Sequence, residues 1–140
     1  MFEIVKNKDM LSESFKIREE VFVKEQGVPL ENELDSYEED STHIIGYDNH
    51  YNPFACARFR PYEDGAKVER VAILKTYREN GYGQSLMIEI EKFAKDKGYH
   101  KLILNAQVQA QGFYAKLGYA PTGEIFLEEN IKHIKMFKAI

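Results

Sequence analysis

The sequence predicts an α/β (α+β) domain: a mixed, mostly antiparallel sheet of about seven strands with helices on both faces. Three observations carry that reading. Residues 67–106 run strand, amphipathic helix, strand, a crossover unit whose two strands are parallel with a right-handed connection. Three extended segments come before this unit and a hairpin-like pair comes after it. The chain is 140 residues long, the size of one ordinary domain, so residues 1–140 are read as a single unit with a single sheet. A chain of this size buries roughly 68% of its unfolded surface and can form a core without metal or disulfide staples.

The elements follow in the order β-α-β-β-β-α-β-α-β-β. Residues 2–6 alternate apolar and polar and read as an opening strand. Asp9 or Ser12 can cap the helix that follows, with Leu11, Phe15 and Phe22 on one face; Gly27 and Pro29 end it. Residues 31–40 hold six carboxylates and little apolar content, which predicts a loop or short polar helix on the solvated surface. Residues 43–47 and 54–62 are strands separated by a turn-rich DNHYNP, and 67–74 is a strand rich in valine and isoleucine. Leu86, Met87, Ile90, Phe93 and Ala94 repeat at helical spacing, and Gly98 stops that helix. A short strand over 102–106, a helix over 109–117 and two extended segments, 119–127 and 131–138, complete the chain.

Composition removes several function classes. Hydrophobic residues at 44% and charged residues at 30% describe a globular chain. Nineteen Lys+Arg against 23 Asp+Glu leave a net charge of −4, a poor match to nucleic acid, which asks for a clustered basic face. No apolar run approaches the roughly 18 to 20 residues that span a bilayer, and the N-terminus shows no signal-peptide core. Cys56 is the one cysteine, so there is no intrachain disulfide and no cysteine-based metal site. Its alanine neighbours suit core packing better than a nucleophile. A cytoplasmic single domain, with no membrane and no metal, is the expectation.

Chemistry is concentrated in Arg78-Glu79-Asn80-Gly81-Tyr82-Gly83, where a strand ends and a helix begins. A helix start offers unpaired N–H groups and the positive end of its dipole. Glycines at 81 and 83 allow close backbone approach to a diphosphate, and Arg78 adds a permanent charge. An ordinary βα turn accounts for the same residues equally well. The dinucleotide fingerprint fails, because Leu86 stands where its third glycine would be, and no P-loop is present.

The R-x-x-G-x-G pattern after a Val/Ile strand resembles the acyl-CoA signature of the GNAT superfamily of N-acyltransferases. Ala110-Gln111-Gly112-Phe113-Tyr114-Ala115-Lys116-Leu117-Gly118-Tyr119 is similar to a second family segment, A-x-x-F-Y-x-K-x-G-F/Y. The strand order resembles the GNAT fold over essentially the whole chain. Residues 17–26 (IREEVFVKEQ) and 104–107 (LNAQ) resemble the ElaA-like branch. Two departures stand out: Gln107 replaces a usual asparagine, and Ile131-Lys132-His133-Ile134 replaces a usual G-I-P-H run.

The resemblance implies an acetyl-CoA-dependent N-acetyltransferase acting on a primary amine, most simply of a small molecule, by direct attack on the thioester. It places the CoA diphosphate on Arg78, Glu79, Asn80, Gly81, Tyr82, Gly83, Gln84 and Ser85. The pantetheine arm falls against Val71, Ala72 and Ile73, with Asn105, Gln107 and Phe113 across from it. Glu69 is the candidate base, working through water, and Tyr114 the candidate acid for the departing thiolate. An amine of pKa near 10.4 is only about one part in a thousand neutral at pH 7.4, so a base is needed. Arg18, Glu25, Gln26 and His133 are placed on the acceptor side, and a homodimer is compatible with the apolar C-terminal strands. For Glu69 the alternative is a strand carboxylate paired with Arg58 or Arg70. For Tyr114 it is core packing, and for His43 and His133 it is structural hydrogen bonding. A non-catalytic acyl-CoA sensor would carry the same loop but would need neither Glu69 nor Tyr114.

Overall fold

The computed structural model describes residues 1–140. Seven strands form one sheet: β1 (Phe2–Ile4), β2 (Thr42–Tyr47), β3 (Pro53–Tyr62), β4 (Gly65–Ile73), β5 (Lys101–Gln107), β6 (Ala120–Glu128) and β7 (Ile131–Ala139). Their spatial order is β1-β2-β3-β4-β5-β7-β6. Every neighbouring pair is antiparallel except β4 with β5, the two ends of the crossover. No helix is long and apolar enough to cross a membrane.

The helices are α1 (Lys8–Arg18), the short α2 (Leu30–Glu33), α3 (Tyr82–Asp96) and α4 (Gln111–Lys116). Leu86, Met87, Ile90 and Ala94 of α3 pack on Phe59, Val68, Leu102 and Leu104 from one face of the sheet. Full burial of each large aliphatic side chain is worth about 1.5–3 kcal/mol, so this stripe is what commits α3 to the sheet. The opposite face takes α1 and the helical segment that continues it, with Ile17 and Val21 on Ile45, Cys56 and Ala72.

The first helix departs from its expected form. Its cap is Asn7, whose side chain accepts from the Met10 N–H at 2.9 Å, not Asp9 or Ser12. The buried face runs through Ser14, Ile17 and Arg18, and Leu11 and Phe15 are only half-buried. After Arg18 the helix widens into a π-helical segment, Glu19–Glu25, which ends at Gly27 with φ of 77°. Such π turns alter the facing of the residues that follow, a shift that simple 3.6-residue periodicity does not anticipate. The acidic stretch is also not a solvated loop: Glu33 is 3% exposed, and Asp35 and Glu38 are partly buried.

Candidate active site

The β4–β5 ladder stops early. It pairs Ala66 with Leu102, Lys67 with Ile103 and Val68 with Leu104, and goes no further. The cause lies on β4. Between the pairs Cys56–Ala72 and Arg58–Glu69, β3 advances two residues while β4 advances three. The extra residue makes a bulge, and Arg70 within it has φ of 57°. A left-handed arginine costs about 1–2 kcal/mol. Its side chain offsets that by donating to the Glu33 carbonyl (2.9 and 3.3 Å) and to Asp35 (3.4 Å), while Cys56 Sγ contacts the Arg70 carbonyl at 3.7 Å. Past the bulge, the edge of β4 from Glu69 to Ile73 has no strand beside it. Its free backbone groups can pair with an extended ligand arm, as an added strand would.

Beyond the end of β4, where Arg78 is bonded to the Ile73 carbonyl, α3 starts after Gly81, which has φ of 79° and no side-chain cap. The amides of Tyr82, Gly83 and Gln84 are therefore open to an anion. A Cβ on Gly83 would come within 3.2 Å of Phe113, so glycine there lets α4 sit against the helix start. The loop is braced from within: Asn80 Nδ2 donates to the carbonyls of Tyr77 (3.2 Å) and Arg78 (2.9 Å), and Ser85 Oγ donates to that of Gly81. Tyr82 packs on Phe54 and Tyr77, and Glu79 (φ 66°) and Gln84 are exposed. Arg78 Nε donates to the Ile73 carbonyl (2.9 Å), and its Nη atoms grip both oxygens of Glu25 at 2.9 Å.

The slot beside the free edge of β4 opens on the α1 face into a cleft of about 610 Å³. Gln26, Glu69, Val71, Asn105, Gln107, Tyr114 and His133 all line it. Gln107 Nε2 donates to Gln26 Oε1 at 3.0 Å across the cleft. The residues 71–73 divide: Val71 faces the cleft, Ala72 is buried against Cys56, and Ile73 is half-buried toward α3. Two expected acceptor-side residues lie elsewhere. Arg18 is 1% exposed and bonds Glu33 and Glu38 instead of facing the cleft. Glu25 points to the loop before α3, where Arg78 holds it.

Beneath the cleft runs a continuous ionic network. Arg18 meets Glu33 (2.6 Å) and Glu38 (2.8 Å). Arg58, with a fully buried side chain, meets Asp35 (2.7 Å), Glu38 (2.8 Å) and Glu69 (3.1 Å). Arg60 (2.8 Å) and Lys67 (3.5 Å) also converge on Glu69. Burial alone would raise the Asp35 and Glu38 pKa values. Arginine hydrogen bonds and charges, with backbone N–H donors, overcome that and hold both at about 2. The same contest at Glu69 is won by the Arg60 hydrogen bond and the charges of Arg58, Lys67 and Arg60, so its pKa is lowered. Glu69 lines the cleft, as expected of a candidate base, and it is also shared by three cations, which weakens it as a base. Its partners are Arg58, Arg60 and Lys67, not Arg70, and its carboxylate is largely buried.

Tyr114 differs: burial pushes its phenol up to about 12, so it stays protonated at any working pH. His133 Nδ1 lies 2.7 Å from the Ile131 carbonyl, which can only accept, so Nδ1 carries the proton and Nε2 of the neutral ring is an acceptor. Nε2 is 3.5 Å from Glu128. His43 is structural, its Nε2 2.8 Å from the Glu38 carbonyl, and burial lowers its pKa. Cys56 is buried with its thiol pushed up to about 12, consistent with packing. Sequence reasoning gave no cleft role to Arg60, Lys67, Tyr37, Glu128 or Glu129. The signal that could have found the first was Arg58 and Arg60 alternating along an otherwise apolar strand.

The fold is that of the GNAT acetyltransferases. The family model described as "Acetyltransferase (GNAT) domain" matches residues 7–140, and the chain belongs to that family. It is 45% identical over 136 residues to the uncharacterized N-acetyltransferase YjcF of Bacillus subtilis, covering 96% of each chain. It is 30% identical to protein ElaA of Escherichia coli over 130 residues, 89% of this chain and 84% of that one. The crystal structure of E. coli ElaA superposes with a TM-score of 0.87 at 26% identity and 99% coverage of both chains. A GNAT acetyltransferase from Elizabethkingia anophelis, solved with acetyl-CoA bound, shares the fold (TM-score 0.78, 16% identity, 100% and 97% coverage).

Proposed function

We propose that the protein transfers the acetyl group of acetyl-CoA to a primary amine of a small molecule by direct attack on the thioester. The observation that carries this is continuity. Val71 on the unpaired edge of β4 and Tyr114 line one cleft, Arg78 ahead of the uncapped start of α3 is bonded to the Ile73 carbonyl at the end of that edge, and Gly83 of α3 packs on Phe113 beside Tyr114. Amides of residues 82–84 with Arg78 would hold the diphosphate, with Glu79, Asn80 and Ser85 shaping the loop. Backbone of Val71–Ile73 on one lip, and Asn105 and Gln107 on the other, would hold the pantetheine arm, with Phe113 closing the outer end.

Acetyl-CoA supplies an activated acyl carbon and a sulfur leaving group. This chain supplies the rest. His133 Nε2 accepts the proton of the incoming ammonium, and Glu128 stabilises the imidazolium that results. Glu69 holds the wall of the cleft. Tyr114 donates a hydrogen bond to the sulfur as its charge develops. A thiol pKa near 8.5 against a phenol at about 12 makes full proton transfer from Tyr114 uphill, so hydrogen bonding is its contribution.

Free-thiol release from acetyl-CoA in the presence of an amine library tests the reading. Tyr114→Phe should lower kcat about 10²-fold with little change in the KM for acetyl-CoA. Tight CoA binding without amine-dependent thiol release, and no effect of Tyr114→Phe, would instead support a sensor.

A further inference from the structure

We propose that the acceptor is an amino carboxylate whose amine and carboxylate stand at opposite ends of a chain. This rests on the acetyltransfer reading and names its substrate class. The ionic network beneath the cleft is not balanced. Arg18, Arg58, Arg60, Lys67 and Arg70 are five cations, and Glu33, Asp35, Glu38 and Glu69 are four carboxylates. One positive charge is left over, and the network shows where it falls. Glu69 is divided among Arg58, Arg60 and Lys67, and Lys67 reaches it only at 3.5 Å.

Lys67 and Arg60 both line the cleft, with side chains 13% and 10% exposed. They are held rigidly. The Arg60 guanidinium lies 3.7 Å from the centre of the Tyr37 ring, and Lys67 Nζ lies 5.0 Å from that of Tyr62. Low solvent exposure of the cation pair strengthens its attraction for an anion. A surplus of one charge matches a carboxylate and is exceeded by a doubly charged phosphate monoester.

The other end of the cleft has the opposite sign. Glu128 and Glu129 line it, Glu128 at 3.5 Å from His133 Nε2 and Glu129 accepting from Asn32 at 3.3 Å. Register along β5 measures the separation. His133 is opposite Gln107, and Lys67 is opposite Ile103, four residues away. At ~3.3 Å per residue these positions are ~13 Å apart along the strands, and the two strand spacings of ~4.8 Å from β4 across β5 to β7 make it ~16 Å between backbones, which side chains leaning inward shorten. An α-amino acid, with both charges on one carbon, cannot bridge that span. An ω-amino acid, or the side-chain amine of a basic amino acid, can. A polyamine would put its second cation against Lys67 and Arg60.

The test compares 6-aminohexanoate, hexylamine and 1,6-diaminohexane as acceptors with acetyl-CoA, by initial rates of thiol release. 6-Aminohexanoate should exceed hexylamine in kcat/KM by about tenfold or more, and the diamine by a larger factor. Lys67→Met should bring the 6-aminohexanoate to hexylamine ratio near one, and Lys67→Arg should keep it; Glu69 retains two arginines in either variant. Equal or better use of hexylamine or the diamine, or a ratio untouched by Lys67→Met, overturns the proposal. Saturation-transfer NMR of 6-aminohexanoate with the CoA-bound protein separates the two readings. A signal that disappears in Lys67→Met, without thiol release from any acceptor, upholds the carboxylate site and sinks acetyltransfer. No signal in the wild type overturns the site.

Discussion

The two sides of the slot handle charge by different means. The lip at residues 78–85, where we propose that the cofactor is held, offers an anion backbone: open amides at the start of α3, a left-handed Gly81 and one arginine that is 38% exposed. The wall beneath the cleft, on the side proposed for the acceptor, is built from side chains, with Arg18 and Arg58 almost completely buried among carboxylates. Backbone donors need no counterion, so an acidic chain can still bind an anionic ligand on that lip. Buried side-chain charges must be matched, and the wall spends half of the 31–40 carboxylates on doing so. Those carboxylates are neutralised internally and are not free to draw in a cationic amine.

If the wall is a matched network, breaking one partner should cost more than any change on the lip. Arg18→Ala leaves Glu33, 3% exposed, without its closest cation and deprives Glu38 of a bidentate partner. The expected loss is about 3–5 kcal/mol of unfolding free energy, read by urea denaturation. A loss under about 1 kcal/mol would mean that water enters the wall and that the contrast with the lip is false.

Gly81→Asp strikes the lip where it is weakest. Aspartate tolerates the left-handed conformation better than most residues and is itself a helix cap, so the fold should survive. Its carboxylate would take the amides meant for the diphosphate and repel what it could not exclude. CoA affinity measured by calorimetry should fall about 100-fold or more, with the circular dichroism spectrum unchanged. Unaltered affinity in a folded variant would remove the diphosphate from this loop.

Acid should separate the two regions without mutation. Asp35 and Glu38 titrate at about 2 when folded, against ordinary values of 3.8 and 4.5. A lowered folded pKa stabilises the protein above the unfolded pKa and is lost as pH falls through the folded one. The window therefore runs from about pH 4.5 down to about pH 2, with about 2–3 kcal/mol at stake per carboxylate. Denaturation midpoints should be flat above pH 5 and fall across that window. Arg18→Ala should flatten the fall.

The same contrast explains what the sequence reveals. The lip is legible because its parts are adjacent: R-x-x-G-x-G falls in six consecutive residues at a strand-to-helix junction. The sheet is legible too, because alternation and turn residues mark each strand and one crossover sets the parallel pair. The wall is not, because its partners are remote. Arg18 to Glu33 spans 15 positions, Arg58 to Asp35 spans 23 and Arg70 to Glu33 spans 37. Nothing in a local window says that a run of carboxylates will be folded inward. The π-helical segment that ends in Glu25 is similarly invisible, and it carries Glu25 to the lip instead of the cleft.

Glu25 is a side-chain carboxylate held on the lip, and its replacement gives the smallest effect and the finest discrimination. The Arg78–Glu25 pair has side chains 38% and 30% exposed, so Glu25→Gln should change stability by no more than about 1 kcal/mol. Its effect on the ligand depends on what the pair is for. Both Nη atoms of Arg78 are committed to Glu25, while Nε is tied to the Ile73 carbonyl. A diphosphate arriving at the start of α3 must then compete with Glu25 for the guanidinium. Removing the carboxylate ends that competition, so CoA affinity should rise two- to fivefold, more clearly at low ionic strength, where the lost repulsion is least screened. A tenfold fall would mean that Glu25 pre-orients Arg78, and that the lip also depends on a matched side-chain charge.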